Sequence, residues 1–535
     1  MSCNDKTPAP SNRKVYTNLA EYFLGSWQDL NQHYDYVVIG GGAYGTAFAQ
    51  RMLSLSQTAR VLVLEQGTVF FPDHSQNLPP SYVDAVYGAA ATPWICEGDF
   101  YLAPQQPYLG GRALFWNAWV PQPRPFEFPD WPRAAVTRLN REWYPANEML
   151  GRRFSLACAG NDNATLDAVA KNRLFAGNDS IACAVPLTTP ADLESAMATG
   201  ADIAPGQFAK YAPVGHLVGL AQRYPDRLKV VPLSTVTAMR AAGGRIAELE
   251  LKATGGEQRT TLSVAKAQVI LANNSIEAAS LALTAFPDHP LLGKNLCVHN
   301  RSALTFRVPV EQFPSIADQL QVCGYYQLSQ IDSQRFFHNH ISVVYNPDPQ
   351  QDNDLLYRIL PDASSSQSLA MYQQTGYIYV LVQALGEVLG ERSAESWNHV
   401  SRSGEQTIIT IKAREADNKA WEIMDRSVFD IVCVLAAGAK VEYMHAPPDK
   451  PLDISWHAEP PEHICSRMVF HEAGTLWMGD NPTHSVTDIR GKMHGVANLY
   501  GTGSMLFPSP GSWNPTFTGI AMTFALARDL AQQGR

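Results

Sequence analysis

Two segments near the end of the chain carry the residue types best suited to chemistry. They are His471-Glu472-Ala473-Gly474-Thr475-Leu476-Trp477-Met478-Gly479 and Gly511-Ser512-Trp513-Asn514-Pro515-Thr516. The first offers an imidazole in glycine-rich surroundings, the second a carboxamide. An aliphatic hydroxyl is about as weak an acid as water, whose pKa is about 15.7. Hydride leaves a carbinol carbon readily only as the hydroxyl proton departs, so the site needs a base poised near neutrality. Histidine, with an unperturbed pKa of about 6.5, suits that task. A carboxamide holding the same oxygen would aim the C–H bond, an orientation effect. His471 as base and Asn514 as oxygen anchor therefore outline the oxidation of an alcohol. A lone His is more often packed or on the surface, and a lone Asn before Pro515 can cap a turn. The shared setting is what favours chemistry.

Hydride needs an acceptor, and the N-terminal region supplies a place for one. Tyr34-Asp35-Tyr36-Val37-Val38-Ile39 reads as a buried parallel strand, Thr46 to Leu55 as a helix, and Arg60 to Glu65 as a second buried strand. Between the first strand and the helix, Gly40, Gly42 and Gly45 satisfy G-x-G-x-x-G. One glycine makes the tight turn, one lets backbone approach a pyrophosphate, and one allows close helix–strand packing. The helix N-terminus then offers free N–H groups to the phosphates. Glycine triplets alone also occur in ordinary turns. The flanking strand and helix, and Glu65 closing the next strand, make this a β-α-β dinucleotide unit. A carboxylate there accepts ribose hydroxyls and repels a 2′-phosphate, so FAD or NAD is expected and NADP is not.

A third segment, Gly110-Gly111-Arg112-Ala113-Leu114-Phe115-Trp116-Asn117, sits within a long Pro-, Gly- and aromatic-rich stretch from Phe71 to Trp131. Such length without periodicity usually covers a ligand or spans domains. Here the chain resembles the glucose–methanol–choline (GMC) oxidoreductases, whose second motif, Gly-Gly-x-Ser-x-x-Asn, lies against the flavin. Ala113 takes the Ser place and Trp116 the usual Asn place. The Trp is shared with the pyranose oxidase-like branch, in which the preceding residue is a histidine bonded covalently to FAD. Phe115 cannot form that bond, so the resemblance implies non-covalent FAD. His471 matches the family's H-x-x-G-T context, and Asn514, followed by Pro515 and Thr516, matches its downstream His or Asn. Asn498 to Gly503 resembles the strand reaching the flavin ribityl chain. Gly503 stands where most members carry Asp and pyranose oxidases carry Gly.

The resemblance implies FAD contacts from Gly40, Gly42, Ala43, Tyr44, Gly45, Glu65, Gly110, Gly111, Arg112, Phe115, Trp116, Asn117, Val236, Gly503, Ser504, Asn514, Pro515 and Thr516. Val236 is at the strand position whose backbone usually meets the adenine. Gly293-Lys294-Asn295-Leu296 with His299 resembles the segment that returns the chain to the substrate domain; plain packing explains either equally well. The reaction implied is oxidation of a primary or secondary alcohol (a sugar, a polyol or a natural-product hydroxyl), with hydride passing to flavin N5. Oxygen or another acceptor would reoxidise the flavin. The alternatives are a GMC-fold lyase of the hydroxynitrile-lyase kind, with redox-silent FAD, and a natural-product tailoring enzyme.

The expected fold is an α/β FAD/NAD(P)-binding, Rossmann-like domain built from discontinuous segments, plus an α+β substrate-binding domain with an antiparallel sheet. Residues 1–33 form a tail and amphipathic segment, with Leu19, Tyr22, Phe23 and Trp27 at helix-like intervals. Residues 34–150, 211–298 and 466–535 belong to the FAD-binding domain, 299–465 to the substrate domain, and 151–210 to an insertion or part of it. Leu228 to Ala253 reads as a meander turning at Ala242-Gly243-Gly244, Gln268 to Ala272 as a buried strand, and Ser275 to Ala285 as its helix. Ser302–Val308, Phe336–Tyr345 and Tyr377–Val382 alternate as strands, Val469 marks the return of nucleotide-domain character, and Thr518–Ala531 is the last helix. The low-complexity patch Ser364-Ser365-Ser366 reads as a loop.

Bulk properties set the remaining bounds. A chain of 535 residues is too long for one simple core. A net charge of −9 argues against a nucleic-acid or anionic-membrane partner. No apolar run reaches the roughly eighteen residues needed to span a bilayer, and Met1 to Asn12 lacks the apolar core of a secretory signal. The eight cysteines show no C-x-x-C spacing, which fits reduced thiols in a cytoplasm and neither a disulfide framework nor zinc. His338-Asn339-His340 puts two imidazoles on one face of a strand, but no third metal ligand is indicated. They are either a substrate-facing polar patch or surface histidines. Oligomeric state is left open.

Overall fold

The runs Tyr36–Ile39, Val61–Leu64 and Gln268–Leu271 are apolar along almost their whole length, and such strands must be covered on both faces. In the computed structural model of the chain they lie in one parallel five-stranded sheet. Its order is Leu499–Gly501, Gln268–Leu271, Tyr36–Ile39, Val61–Leu64 and Leu228–Val231. Described residues are 19–82, 90–154, 165–199, 209–361, 369–389, 397–446 and 453–533; the polar tail through residue 18 and Ser364–Ser366 lie outside them. The helix Ala43–Leu55 follows the central strand and packs against the last helix, Pro515–Gln533. That last helix begins three residues before Thr518, with Pro515 at its start, where a missing N–H leaves no helical bond unmade. Asn514 therefore stands just outside a helix N-terminus.

The segment read as one meander divides in two. Leu228–Val231 joins the parallel sheet, because its apolar residues need cover on both sides. The three strands Ser234–Ala242, Arg245–Ala253 and Arg259–Ser263 form a separate antiparallel sheet, with Gly243 and Gly244 at φ +59° and +74° in the turn.

The second large sheet is mainly antiparallel. Gln321–Gln330, Phe336–Tyr345, Tyr377–Val388 and Cys297–Pro309 run side by side, followed by Glu442–His445 and Ser455–His457. Phe336–Tyr345 is buried at every position, so both its faces are covered. One cover is the helix Glu415–Ala436, whose Ala420, Met424, Val428, Ile431 and Leu435 make a continuous buried stripe against Cys297–Pro309 and Tyr377–Val388. Neither this helix nor the strand Gln321–Gln330 stood out in the sequence.

Cys465–Ala473 also belongs to this sheet, pairing with Cys297–Pro309 and with the short strand Tyr101–Leu102. The nucleotide-domain character expected from Val469 thus begins only after Ala473. A break in register hides the strand's alternation. The stretch Phe71 to Trp131 is mostly irregular among the described residues, as expected, but includes two short strands, Trp94–Gly98 and Tyr101–Leu102. No helix among the described residues is long and apolar enough to cross a membrane.

Candidate active site

The glycine loop sits at the end of the central parallel strand. Gly40 has φ +104°, and a Cβ on Gly45 would lie 2.0 Å from the Gly40 carbonyl oxygen, so these two glycines let the helix start against the strand. Glu65 accepts N–H bonds from Gly41 and Gly67, each 2.8 Å. Burial raises its pKa and the backbone donors oppose that rise. The Gln66 amide donates to it as well, so of a carboxylate's roughly four lone-pair sites about one remains for a ligand hydroxyl.

Gly40, Gly42, Ala43, Tyr44 and Glu65 line a cavity of about 1070 Å³. Gly110, Gly111, Arg112, Phe115, Trp116, Asn117, Val236, Ser504, His471, Asn514, Pro515 and Thr516 line it as well. Two residues expected to contact the cofactor do not line it. Gly45 packs helix on strand, and a Cβ on Gly503 would come within 2.2 Å of the Tyr44 ring. Both glycines shape the backbone behind the cavity.

The covering loop is pinned from behind. His74 Nε2 lies 2.8 Å from the Trp116 carbonyl, which accepts its proton, while His74 Nδ1 accepts from the Gln76 amide at 3.0 Å. Trp116 Nε1 donates to the Tyr211 carbonyl at 2.9 Å. Burial pushes the His74 pKa down to about 3, so it stays neutral as a structural tie.

His471 occupies a bulge. Cys297 pairs with Ala473 and His299 with Phe470, so three steps on one strand face two on the other. The extra length is taken up at His471, whose φ of +57° lies in the left-handed region. That conformation costs roughly 1–2 kcal/mol in a residue other than glycine. Bulges near active sites commonly re-aim a side chain, and here Phe470, His471 and Glu472 all face the cavity in succession. His299 Nδ1 and His471 Nδ1 are 3.0 Å apart, with the rings perpendicular, and His299 Nε2 is 2.5 Å from the Gly511 carbonyl oxygen. Burial, then His299, Arg112 and His340, hold the His471 pKa well below 6.5. Burial likewise brings His299 down to about 4.

Asn514 is buried, and its Oδ1 accepts no hydrogen bond among the described residues. The cavity wall also includes Trp119, Arg301, His340, Gln383, Leu385, Met468 and Phe470. His340 pairs with Gln383, and Leu385 with Arg301, so neighbouring strands bring these groups to one face of the sheet. His340 stacks on Trp119 with centroids 4.4 Å apart and an interplanar angle of 8°. It and His338 are buried, which removes the surface reading of both; His340 is the one lining the cavity. Glu277 also lines the cavity. Burial raises its pKa to about 7, and one oxygen accepts from Gln105 at 2.9 Å. The sequence did not single out these wall residues apart from the His338–His340 pair. Alternation marks each strand, but only the register between strands gathers them.

Residues 397–523, a span that includes His471 and Asn514, match the family model described as GMC oxidoreductase. This part of the chain is similar to the GMC oxidoreductases. No curated protein matches the sequence. Among solved structures, pyridoxine 4-oxidase from Mesorbium loti is similar in fold, with a TM-score of 0.61 and 15% identity, covering 93% of this chain and 99% of that one. At that identity the likeness is one of fold.

Proposed function

We propose that the protein oxidises a primary or secondary alcohol, with His471 accepting the hydroxyl proton and Asn514 donating its amide N–H to the hydroxyl oxygen. The supporting observation is that both side chains line the cavity into which the glycine loop opens. The residues present fit FAD: backbone N–H groups after Gly40 for the pyrophosphate, Glu65 for the ribose, the Val236 strand for the adenine, and the Gly110–Asn117 loop for the ring system. Phe115 makes this binding non-covalent. When bound, FAD supplies the two-electron acceptor that takes the hydride.

The chain's own groups do the rest. His471 is neutral at neutral pH, so its lone pair is available without prior deprotonation. Asn514 holds the oxygen while the proton leaves, and Trp119, Phe470, Leu385 and Met468 exclude water from one side of the substrate. Gln383, His340 and Arg301 offer polar contacts beside that apolar wall, which suits a hydroxyl carried on a ring with a polar substituent. Sugars, polyols and natural-product alcohols all fall within that description. The block after His471, Trp116 and Gly503 favour the pyranose oxidase-like branch.

The test is anaerobic mixing of the purified yellow protein with glucose, glycerol and benzyl alcohol, followed by admission of air. Bleaching by at least one alcohol is the expected result, and recolouring in air identifies oxygen as the acceptor. A flavin that stays oxidised with every alcohol while a cyanohydrin is cleaved would replace this reading with the lyase.

A further inference from the structure

His299 has no assigned role, yet it sits behind the base. A carbonyl oxygen can only accept, so the contact with Gly511 O requires that His299 Nε2 carry the proton. Burial keeps the His299 ring neutral, so its Nδ1 is a bare lone pair. That lone pair lies 3.0 Å from His471 Nδ1, which must then be the donor. A neutral His471 with its proton on Nδ1 has its lone pair on Nε2, the nitrogen left to the cavity. Each step follows from the one before.

We propose that His299 is a positioning residue that fixes the tautomer and direction of His471, presenting Nε2 as the proton acceptor. This rests on the reading of His471 as the base. As the substrate O–H bond breaks, an Nε2–H bond forms and His471 becomes an imidazolium. Its Nδ1–H bond to His299 is then charge-assisted and stronger than in the resting state. The hydride and its electron pair go to the bound FAD, so proton and electrons are both accounted for. His299 also restrains the bulge, since a left-handed histidine with nothing behind it is free to relax.

The other groups facing the pair leave this assignment intact. Arg112 approaches His471 from the covering loop but is neutralised by Glu472. His340 and His338, from the Phe336–Tyr345 strand, are held neutral by burial. Gly511, at φ +61°, admits no side chain, because a Cβ there would lie 1.9 Å from the Trp513 ring. Its carbonyl and Asn514 belong to one four-residue loop, so a single segment sets both the tautomer of the base and the oxygen anchor.

The experiment compares His299→Leu, which has no acceptor, with His299→Asn, whose Oδ1 can stand near the Nδ1 position. Both are made in the full-length FAD-containing protein and assayed with whichever of glucose, glycerol or benzyl alcohol reduces the wild type fastest. The limiting anaerobic reduction rate of His299→Leu should fall about 10–100-fold, as for other groups that orient a functional imidazole. Alcohol affinity and FAD content should be unchanged, and His299→Asn should recover most of the rate. Adding His299→Leu to His471→Ala should cost nothing further, because residues acting as a unit are not additive.

Equal rates in wild type and His299→Leu, equal damage in the Leu and Asn variants, or losses that multiply in the double variant would each overturn the proposal. If His299→Leu does not fold, His299→Met takes its place as the variant without an oxygen or nitrogen acceptor. Failure of the underlying reading looks different, since then His471→Ala itself reduces flavin at the wild-type rate.

Discussion

Arg112 and Glu472 close a two-pronged ion pair, with Nη1–Oε2 at 2.8 Å and Nη2–Oε1 at 2.5 Å, that ties the Gly110–Asn117 loop to the strand bearing His471. Burial works against the Arg112 charge, and Glu472 more than reverses it, so its pKa stays above the ordinary value. The planar guanidinium fork is what allows two parallel bonds. Arg112→Ala would leave a buried carboxylate without its partner, a change that typically costs about 3–5 kcal/mol. Arg112→Lys keeps the charge but loses the fork, and should fall between the two. Chemical denaturation and FAD content measure this; an Arg112→Ala protein as stable as the wild type would show the pair to be dispensable.

His471→Ala should slow flavin reduction by about 10²–10⁴-fold, the usual worth of a general base, with FAD still bound. Asn514→Ala should slow it less, and stopped-flow reduction separates the two. The pH dependence follows from the depressed His471 pKa: the neutral, proton-accepting form is already complete at neutral pH. Reduction by alcohol should therefore stay flat as pH falls through 6.5, and decline only in more acid solution. A decline centred on the ordinary histidine pKa would contradict the buried, neutral state of this ring.

Phe115 offers no atom for a bond to flavin. Acid or heat denaturation should release all of the yellow colour into the supernatant, leaving a colourless pellet. Flavin retained on the chain under denaturing electrophoresis would show that another residue makes the link.

Glu387 is buried beside the Arg335 and Glu127 side chains and accepts the Phe336 amide at 3.0 Å. Burial raises its pKa from 4.5 to about 8. The folded protein thus holds this proton more tightly than the unfolded chain. The stabilisation is fully present below the unfolded pKa and is lost as pH rises through about 8. Glu387→Gln keeps an acceptor for Phe336 and removes the titration. Its melting temperature should fall less than that of the wild type between pH 6 and 9, and parallel curves would count against a protonated Glu387.

Much of this was written locally. The Gly40–Gly45 loop, its flanking strand and Glu65 follow one another closely in sequence, and each is specified by short-range rules: glycine for the tight approach, apolar runs for buried strands, a carboxylate at the strand end. The cavity-lining places of His471, Asn514 and the Gly110–Asn117 segment were suggested by residue type and glycine content in the same way. Leu228–Val231 lies in the parallel sheet and not in the meander, because a short apolar strand reads alike in either. The helix Glu415–Ala436 carries a buried stripe at helical spacing.

Only the folded chain decided where His471 points. Its direction depends on a one-residue bulge against Cys297–Pro309, on His299 from 172 residues away, and on the carbonyl of Gly511. The substrate-side wall likewise needs the register of separate strands, and Arg112 meets Glu472 across 360 residues. Local preferences choose which residues form a strand or a turn. They carry no information about which strand lies alongside or in what register, and that pairing brings a histidine and an asparagine distant in the sequence to one cavity.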